Sequence, residues 1–438
     1  MYRSWIRSAA LVLVAFTSVF CVASLALAFD VRATFRRIDR EQHSVTVVAN
    51  GNEHTARVSE QVEVIGADGK PIPERLAAKV IAEGASAQLT VENVGGRPTI
   101  VRIDFSPNPK RSTPDRNGGG ENRRVATGGR TSTGMKPICD MTAEDRYQGE
   151  EGGLYGQGRN VPTEAHQAAA RAAAGRIQPL DAEGRPSPTG KISLISISMS
   201  NATQEFSTFK RLADADDQKS SLVEVVDCAQ GGKAMAEWTF APSDADADET
   251  DPRRQNPWRE ADRRLARAQV SPRQVQVAWV KIANKGPRGG LSDHGKKLED
   301  DTTRVLQIAR SRFPNLQIVY LSSRIYAGYA ETELNPEPYA YESGFVARWL
   351  IQKQQRGDAA LQFDAAKGEV QAPLLLWGPY LWADGTAGRK SDSLVWTRDD
   401  LAGDGTHPTR AGCDKVAQLL LDHFHSDPYA KTWYVRTR

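Results

Sequence analysis

Three side chains in this 438-residue sequence have the types that acyl-transfer chemistry needs: Ser200, Asp404 and His407. Ser200 directly follows an apolar run, residues 192–198. Asp404-Gly-Thr-His407-Pro408 stands just before a helical stretch near the C-terminus. A hydroxyl is a poor nucleophile until a nearby imidazole takes its proton, and a carboxylate must hold that imidazole in one tautomer. Asp and His three positions apart share one loop, so Asp404 orients His407 and His407 serves Ser200. Asp384, Asp399 and Asp400 are further carboxylates of the same stretch. The negative charge that develops on an attacked carbonyl needs preorganised donors. The backbone N–H groups of Ser200 and of Gly232 (or Gly231), with the Asn284 amide, are the candidates. Each residue also has a plainer role: Ser before a helix is an ordinary N-cap, and Asn and Gly after strands are ordinary turn formers.

The elements that must position these residues begin near 191. Apolar strand patterns at 192–198, 222–226, 275–280, 316–321 and 372–377 alternate with helical patterns, among them 257–268, 298–312, 341–355 and 409–424. Apolar strands separated by helices predict an α/β domain with a parallel sheet covered on both faces. Ligands of such sheets bind beyond the carboxyl ends of the strands. Ser200, Gly232, Asn284 and the Asp404–His407 pair all follow strand patterns. Trp377, Tyr380, Trp382 and Trp396 lie between the fifth strand and Asp404; they either pack a long loop or form an aromatic wall for substrate.

These residues, in this order, resemble the SGNH (GDSL-type) hydrolases over about 190–425. The most specific piece is Asp404-x-x-His407-Pro408. The family's nucleophile maps to Ser200, its glycine to Gly232 or Gly231, and its Asn to Asn284. The resemblance implies a five-stranded parallel sheet in flavodoxin-like order, a Ser-His-Asp triad, an oxyanion hole of Ser200, Gly232 and Asn284, and no cofactor or metal. The Gly-Asp that precedes the family's Ser is Ser198-Met199 here, and its Gly-x-Asn-Asp block reads Ile282-Ala283-Asn284-Lys285. The stretches at 199–206 and 320–324 resemble a divergent secreted branch. The implied activity is an esterase or deacetylase acting on O-acyl groups, with a small-molecule or polysaccharide ester as substrate. Two other readings are a non-catalytic envelope- or carbohydrate-binding protein on a degenerate fold, and an O-acyltransferase.

Ahead of this domain the chain changes character three times. Arg3 and Arg7 precede an apolar run ending at Ala26-Leu27-Ala28, which predicts a signal peptide over 1–28 and a secreted or periplasmic protein, with an uncleaved anchor as the alternative. Residues 29–106 carry six short β-branched runs divided by turn formers, predicting a small antiparallel barrel or sandwich that serves as an accessory module. Residues 107–136 hold three prolines, many glycines and seven basic residues against two acids. That composition reads as a flexible basic linker, with cell-envelope contact through it and the β domain as the sharper expectation. Residues 137–190 form a pre-core segment, and 191–438 the catalytic domain.

Composition closes off other classes. With 57 Lys and Arg against 54 Asp and Glu, the chain has none of the basic excess of a nucleic-acid binder. With 25% charged residues it is not a polytopic membrane protein. Cleavage would leave Cys139, Cys228 and Cys413, read as buried thiols with one optional bridge. Gly290–Lys297 imitates a phosphate loop but has Lys297 where Ser or Thr must stand, and Asp244-Ala-Asp246-Ala-Asp248 lacks the glycine and distal Glu of a calcium loop. Asn201-Ala-Thr203 is a glycosylation sequon on the nucleophile turn, where a glycan would block access.

Overall fold

The computed structural model describes residues 29–49, 52–94, 97–106, 129–240 and 255–436. They fall into two compact units, one within 29–106 and one from 129 onward. The segments read as signal peptide, most of the basic linker and the acidic Asp244–Asp248 run lie outside the described residues.

The first unit is a closed barrel. Its strands are β1 (Phe29–Asp39), β2 (Ser44–Ala49), β3 (Asn52–Ile65), β4 (Ser86–Val94) and β5 (Arg97–Asp104), in the order β1-β2-β3-β5-β4. Alternation turns Phe35, Val45, Val47, Val58, Val64, Leu89 and Ile103 inward to fill it. Two expectations are corrected here. The third and fourth predicted strands are one long strand, and the barrel is not wholly antiparallel. The first half of β3 pairs antiparallel with β2, and its second half runs parallel to β5. The register shifts between Val58 and Glu63, where the strand bends from one partner to the other.

The second unit opens with residues that composition had assigned to the linker. Asp384 accepts hydrogen bonds from Thr133 N (2.6 Å), Thr133 Oγ1 (2.6 Å) and Gly134 N (2.9 Å), and also from the Ser132 hydroxyl. Residues 131–134 are thus fastened into this unit. A short hairpin, β6 (Arg146–Tyr147) and β7 (Glu150–Glu151), and helix α1 (Glu164–Ala174) follow.

Next come β8 (Ile192–Ile197), α2 (Ser200–Asp214), β9 (Val223–Val226), α3 (Met235–Trp238), α4 (Pro257–Arg267) and β10 (Val275–Lys281). The chain continues through α5 (Lys296–Arg312), β11 (Ile318–Ser322), α6 (Tyr339–Gln355), β12 (Leu374–Trp377), α7 (Arg410–Ser426) and α8 (Lys431–Tyr434). The five strands make a parallel sheet ordered β12-β11-β10-β8-β9. In chain sequence that order is second, first, third, fourth, fifth, the doubly wound arrangement whose direction reverses between β8 and β10. Strands β8, β10, β11 and β12 are buried at every position, which is why their sequences are continuous apolar runs rather than alternating ones.

Helices α2 and α7 pack together over one face. Trp279 and Tyr320 are register partners on β10 and β11, so their rings share that face. Phe206 of α2 stacks on Trp279 at 5.5 Å, Phe424 of α7 meets Tyr320 at 5.8 Å, and Phe209 joins Phe424 at 5.4 Å. That contact carries the loop before α7 to the start of α2.

Candidate active site

Ser200 is the first residue of α2, three residues past the end of β8. The N-cap is Met199, so the Ser200 hydroxyl is not spent on capping the helix. It lies 2.8 Å from His407 Nε2. On the other side of the ring, His407 Nδ1 lies 2.6 Å from Asp404 Oδ2. Asp404 Oδ1 accepts from the backbone N–H groups of Thr406 and His407, both at 3.0 Å. Burial pushes the Asp404 carboxyl up, but the hydrogen bonds from His407 and these two amides outweigh it and hold the group well below the usual carboxylate range. An ionised carboxylate only accepts. Nδ1 therefore carries the ring proton, and Nε2 is left to accept from Ser200. This is the protonation pattern that a hydroxyl nucleophile requires.

The loop that presents Asp404 and His407 is fixed along its length. Ala402 N donates to the His407 carbonyl (2.7 Å), Thr409 N to the Asp400 carbonyl (2.8 Å), and Glu331 N to the Asp404 carbonyl (3.0 Å). Asn201, next to Ser200, donates its side-chain amide to the Thr406 carbonyl at 2.8 Å, tying the start of α2 to the loop that bears His407. Gly405 adopts φ of +63°, and a Cβ there would collide with the Tyr329 carbonyl. Only glycine fits that position. Two other acids of this stretch are committed elsewhere: Asp384 to residues 132–134, Asp400 to Thr397 and Lys415.

The expected oxyanion donors gather at the same rim. Gln230 N and Trp238 Nε1 both donate to the Ser198 carbonyl, at 3.0 and 3.2 Å, drawing the loop after β9 against the end of β8. Met235 N donates to the Ala283 carbonyl (3.0 Å) and Ala236 N to Asn284 Oδ1 (2.9 Å), which draws in the loop after β10. With its oxygen engaged, Asn284 uses one amide N–H on Asp301 Oδ2 at 2.7 Å, and among the described residues its second N–H has no acceptor. Gly232 has φ of +73°, and its carbonyl accepts from Lys285 Nζ at 2.8 Å. Among the described residues neither the Gly231 nor the Gly232 amide has a hydrogen-bond partner. The Ser200 amide is one of the four that a helix start leaves without an intrahelical acceptor, at the positive end of the α2 dipole.

Beneath this rim lies an ion pair that sequence analysis did not identify as part of the site. Glu205 and Lys281 are fully buried, with Lys281 Nζ 2.6 Å from both carboxylate oxygens. Burial pushes Glu205 up and pulls Lys281 down to about 8, and each partner opposes the other's shift. Asp301, which orients Asn284, was also missed. Neither has a local signal in the sequence: Glu205 stands 76 positions from Lys281, and Asp301 stands 17 from Asn284.

The four aromatic residues proposed as a substrate wall are instead packing residues. Trp377, Tyr380, Trp382 and Trp396 are all buried. Their polar atoms are also taken: Trp377 Nε1 by the Leu154 carbonyl, Trp382 Nε1 by Glu337, Trp396 Nε1 by the Leu381 carbonyl, and the Tyr380 hydroxyl by Ile138 N. The sequon is likewise structural, since Asn201 is buried and Thr203 donates its hydroxyl to Asp227. Cys139, Cys228 and Cys413 are free thiols; burial pushes Cys139 up to about 11 and Cys413 up to about 12, which keeps them protonated. Among the described residues no three His, Cys, Asp or Glu side chains are grouped to hold a metal ion, and no helix is long and apolar enough to cross a membrane.

Fold and site together define a doubly wound α/β unit, joined to a barrel unit, in which a serine, a histidine and an aspartate form one hydrogen-bonded relay at the strand-order reversal. No protein-family model matches the chain, and no curated protein does. Among solved structures, apo-CusF residues 6–88 from Escherichia coli is similar at 10% identity, covering 18% of this chain and 89% of that one, with a TM-score of 0.14.

Proposed function

We propose that the chain is a secreted serine hydrolase of SGNH type that cleaves O-acyl esters, with acetyl groups on carbohydrate as the substrate class. The observation that carries this reading is the unbroken relay Ser200 Oγ–His407–Asp404, at 2.8 and 2.6 Å, across 207 positions of sequence. Ser200 Oγ passes its proton to His407 Nε2 as it bonds to the ester carbonyl carbon. The carbonyl oxygen takes up negative charge against the amides of Ser200 and Gly232 and the free N–H of Asn284. His407 then returns the proton to the departing alkoxide as the carbon–oxygen bond breaks. Water repeats the sequence on the acyl-serine, giving the carboxylic acid and free enzyme.

A fluorophosphonate probe and 4-nitrophenyl acetate test this directly. The wild-type chain is expected to be labelled at Ser200, and Ser200→Ala to lower kcat/KM by about 10³-fold or more with unchanged thermal melting. Equal turnover in the variant would overturn the assignment of Ser200, and no labelling at saturating probe together with no turnover would favour a binding protein.

A further inference from the structure

Five Lys or Arg side chains are buried among the described residues: Lys233, Lys281, Arg324, Arg348 and Arg389. Lys281 rests on Glu205, Arg348 on Glu150, Arg389 on Asp392, and Lys233 on the Gln255 carbonyl. Arg324 differs. It is 1% exposed, its Nε and Nη2 have no hydrogen-bond partner, and it forms no ion pair among the described residues. Arg348 also leaves its Nε unused, but its other two nitrogens serve Glu150 and the Glu151 carbonyl. A buried guanidinium with no anion is costly, and native proteins keep such a group where something else completes it.

The position of Arg324 says what that is. In the sheet register Ile197 faces Val280, and Val280 faces Leu321. The ladder continues one step further through Ile282 N and the Ser322 carbonyl, at 3.0 Å. Three residues beyond each register partner stand Ser200, Ala283 and Arg324. At the 4.7–4.9 Å spacing of neighbouring strands, the carboxyl ends of β8 and β11 are about 10 Å apart, and Ser200 and Arg324 each follow one of them on the same rim. Arg324 N is pinned by the Ser343 hydroxyl at 2.9 Å. The groups facing the guanidinium are Glu205, Glu337 and Asp404, which favour its charge, with Lys281 and His407 around the same Glu205. None of these carboxylates is in ion-pair contact with it. Its planar fork suits a carboxylate, which takes two parallel hydrogen bonds.

We propose that Arg324 is the specificity residue of this site and binds a carboxylate carried by the substrate, so that the preferred substrates are acidic esters. This rests on the serine-hydrolase reading above. The carboxylate belongs either to the acyl part, as in a half-ester of a dicarboxylic acid, or to the alcohol part, as in an acetylated hydroxy acid or uronic acid. A neutral ester leaves the guanidinium without a direct ion-pair partner.

Kinetics on the full chain with matched esters test the idea. Mono-4-nitrophenyl succinate carries the acid on the acyl side, with 4-nitrophenyl acetate as its neutral counterpart. O-acetylglycolate carries it on the alcohol side, with its methyl ester as the neutral twin. One of the two charged esters is expected to exceed its neutral counterpart at least tenfold in kcat/KM, mainly through KM, and this identifies the side. Arg324→Met should lower the charged ester at least thirtyfold more than its neutral counterpart. Arg324→Lys, which keeps the charge but not the fork, should lose tenfold and covers a failure of Arg324→Met to fold. No preference in the wild type, or an equal loss on both esters, overturns the proposal while Ser200-dependent turnover leaves the hydrolase reading standing. Independently of turnover, Ser200→Ala should bind succinate or O-acetylglycolate by calorimetry, and the added Arg324→Met should abolish it. Absence of binding of both also overturns the proposal.

Discussion

A depressed carboxyl, a shared loop and one strained glycine define the site at the level of single residues. Asp404→Asn would present a donor or a neutral acceptor to His407 Nδ1 and lose the tautomer that Ser200 needs. Its kcat is expected to fall by about 10²–10⁴-fold with KM little changed. Because the folded-state pKa of Asp404 is lowered, its ionised form stabilises the fold above the ordinary carboxyl pKa of about 3.9, and that contribution is lost as pH falls toward the lower folded value. The gap in urea midpoint between wild type and Asp404→Asn should be level from pH 5 to 8 and close below about pH 4. Ser200, Asp404 and His407 were legible because their chemistry is written in type and spacing. Arg324 was not, since arginine is usually exposed and nothing local announces that a long fold will bury one unpaired. The aromatic cluster misled for the same reason. A ring offered to substrate and a ring offered to the core have the same sequence, and only the tertiary contacts of Trp382 and Trp396 separate them.

Between residues and whole fold, the site depends on how strand ends and helix starts are held. Glu205 on α2 and Lys281 on β10 join those elements close to Ser200. Breaking one partner leaves a buried charge, so Lys281→Met should cost about 3–5 kcal/mol in chemical denaturation, while Glu205→Leu combined with Lys281→Met should recover most of that. If the double variant is as unstable as the sum of the singles, the pair is not the source. The turn at Gly405 makes a second case. Gly405→Ala must either leave φ of +63° or displace Tyr329, and both move the Asp404–His407 loop. A loss of about 10²-fold in turnover is expected with only about 1–3 kcal/mol of stability, read by parallel kinetics and melting. Strands and helices from β8 to α7 could be placed from sequence because fully buried parallel strands are unbroken apolar runs between amphipathic helices. Helix α1 was overlooked although Thr163 caps it and an alanine-rich stretch fills it. The barrel strand β3 was split in two because the bend near Ser59 interrupts its alternation without ending it.

At the scale of the molecule, every residue of the proposed mechanism belongs to the unit from 129 onward, and the barrel contributes none. A chain of residues 129–438 should therefore hydrolyse 4-nitrophenyl acetate within about threefold of full-length protein; loss of activity with retained helical content would assign the barrel a part in catalysis. Starting at 137 instead removes Ser132, Thr133 and Gly134, the donors to buried Asp384. Each donor lost to a buried acceptor costs about 1–3 kcal/mol, so that shorter chain should melt several degrees lower. The linker's composition gave no hint of this attachment, because small polar residues look alike whether they wander in solvent or fold around a carboxylate. The 207 positions between Ser200 and His407 also set a schedule. A ribosome that has released Ser200 has still to deliver four sheet strands, β9 to β12, and the loop that bears the imidazole. Unfinished polypeptides, and fragments nicked ahead of His407, therefore carry an inert hydroxyl, and chemical competence arrives only with the closing stretch of synthesis.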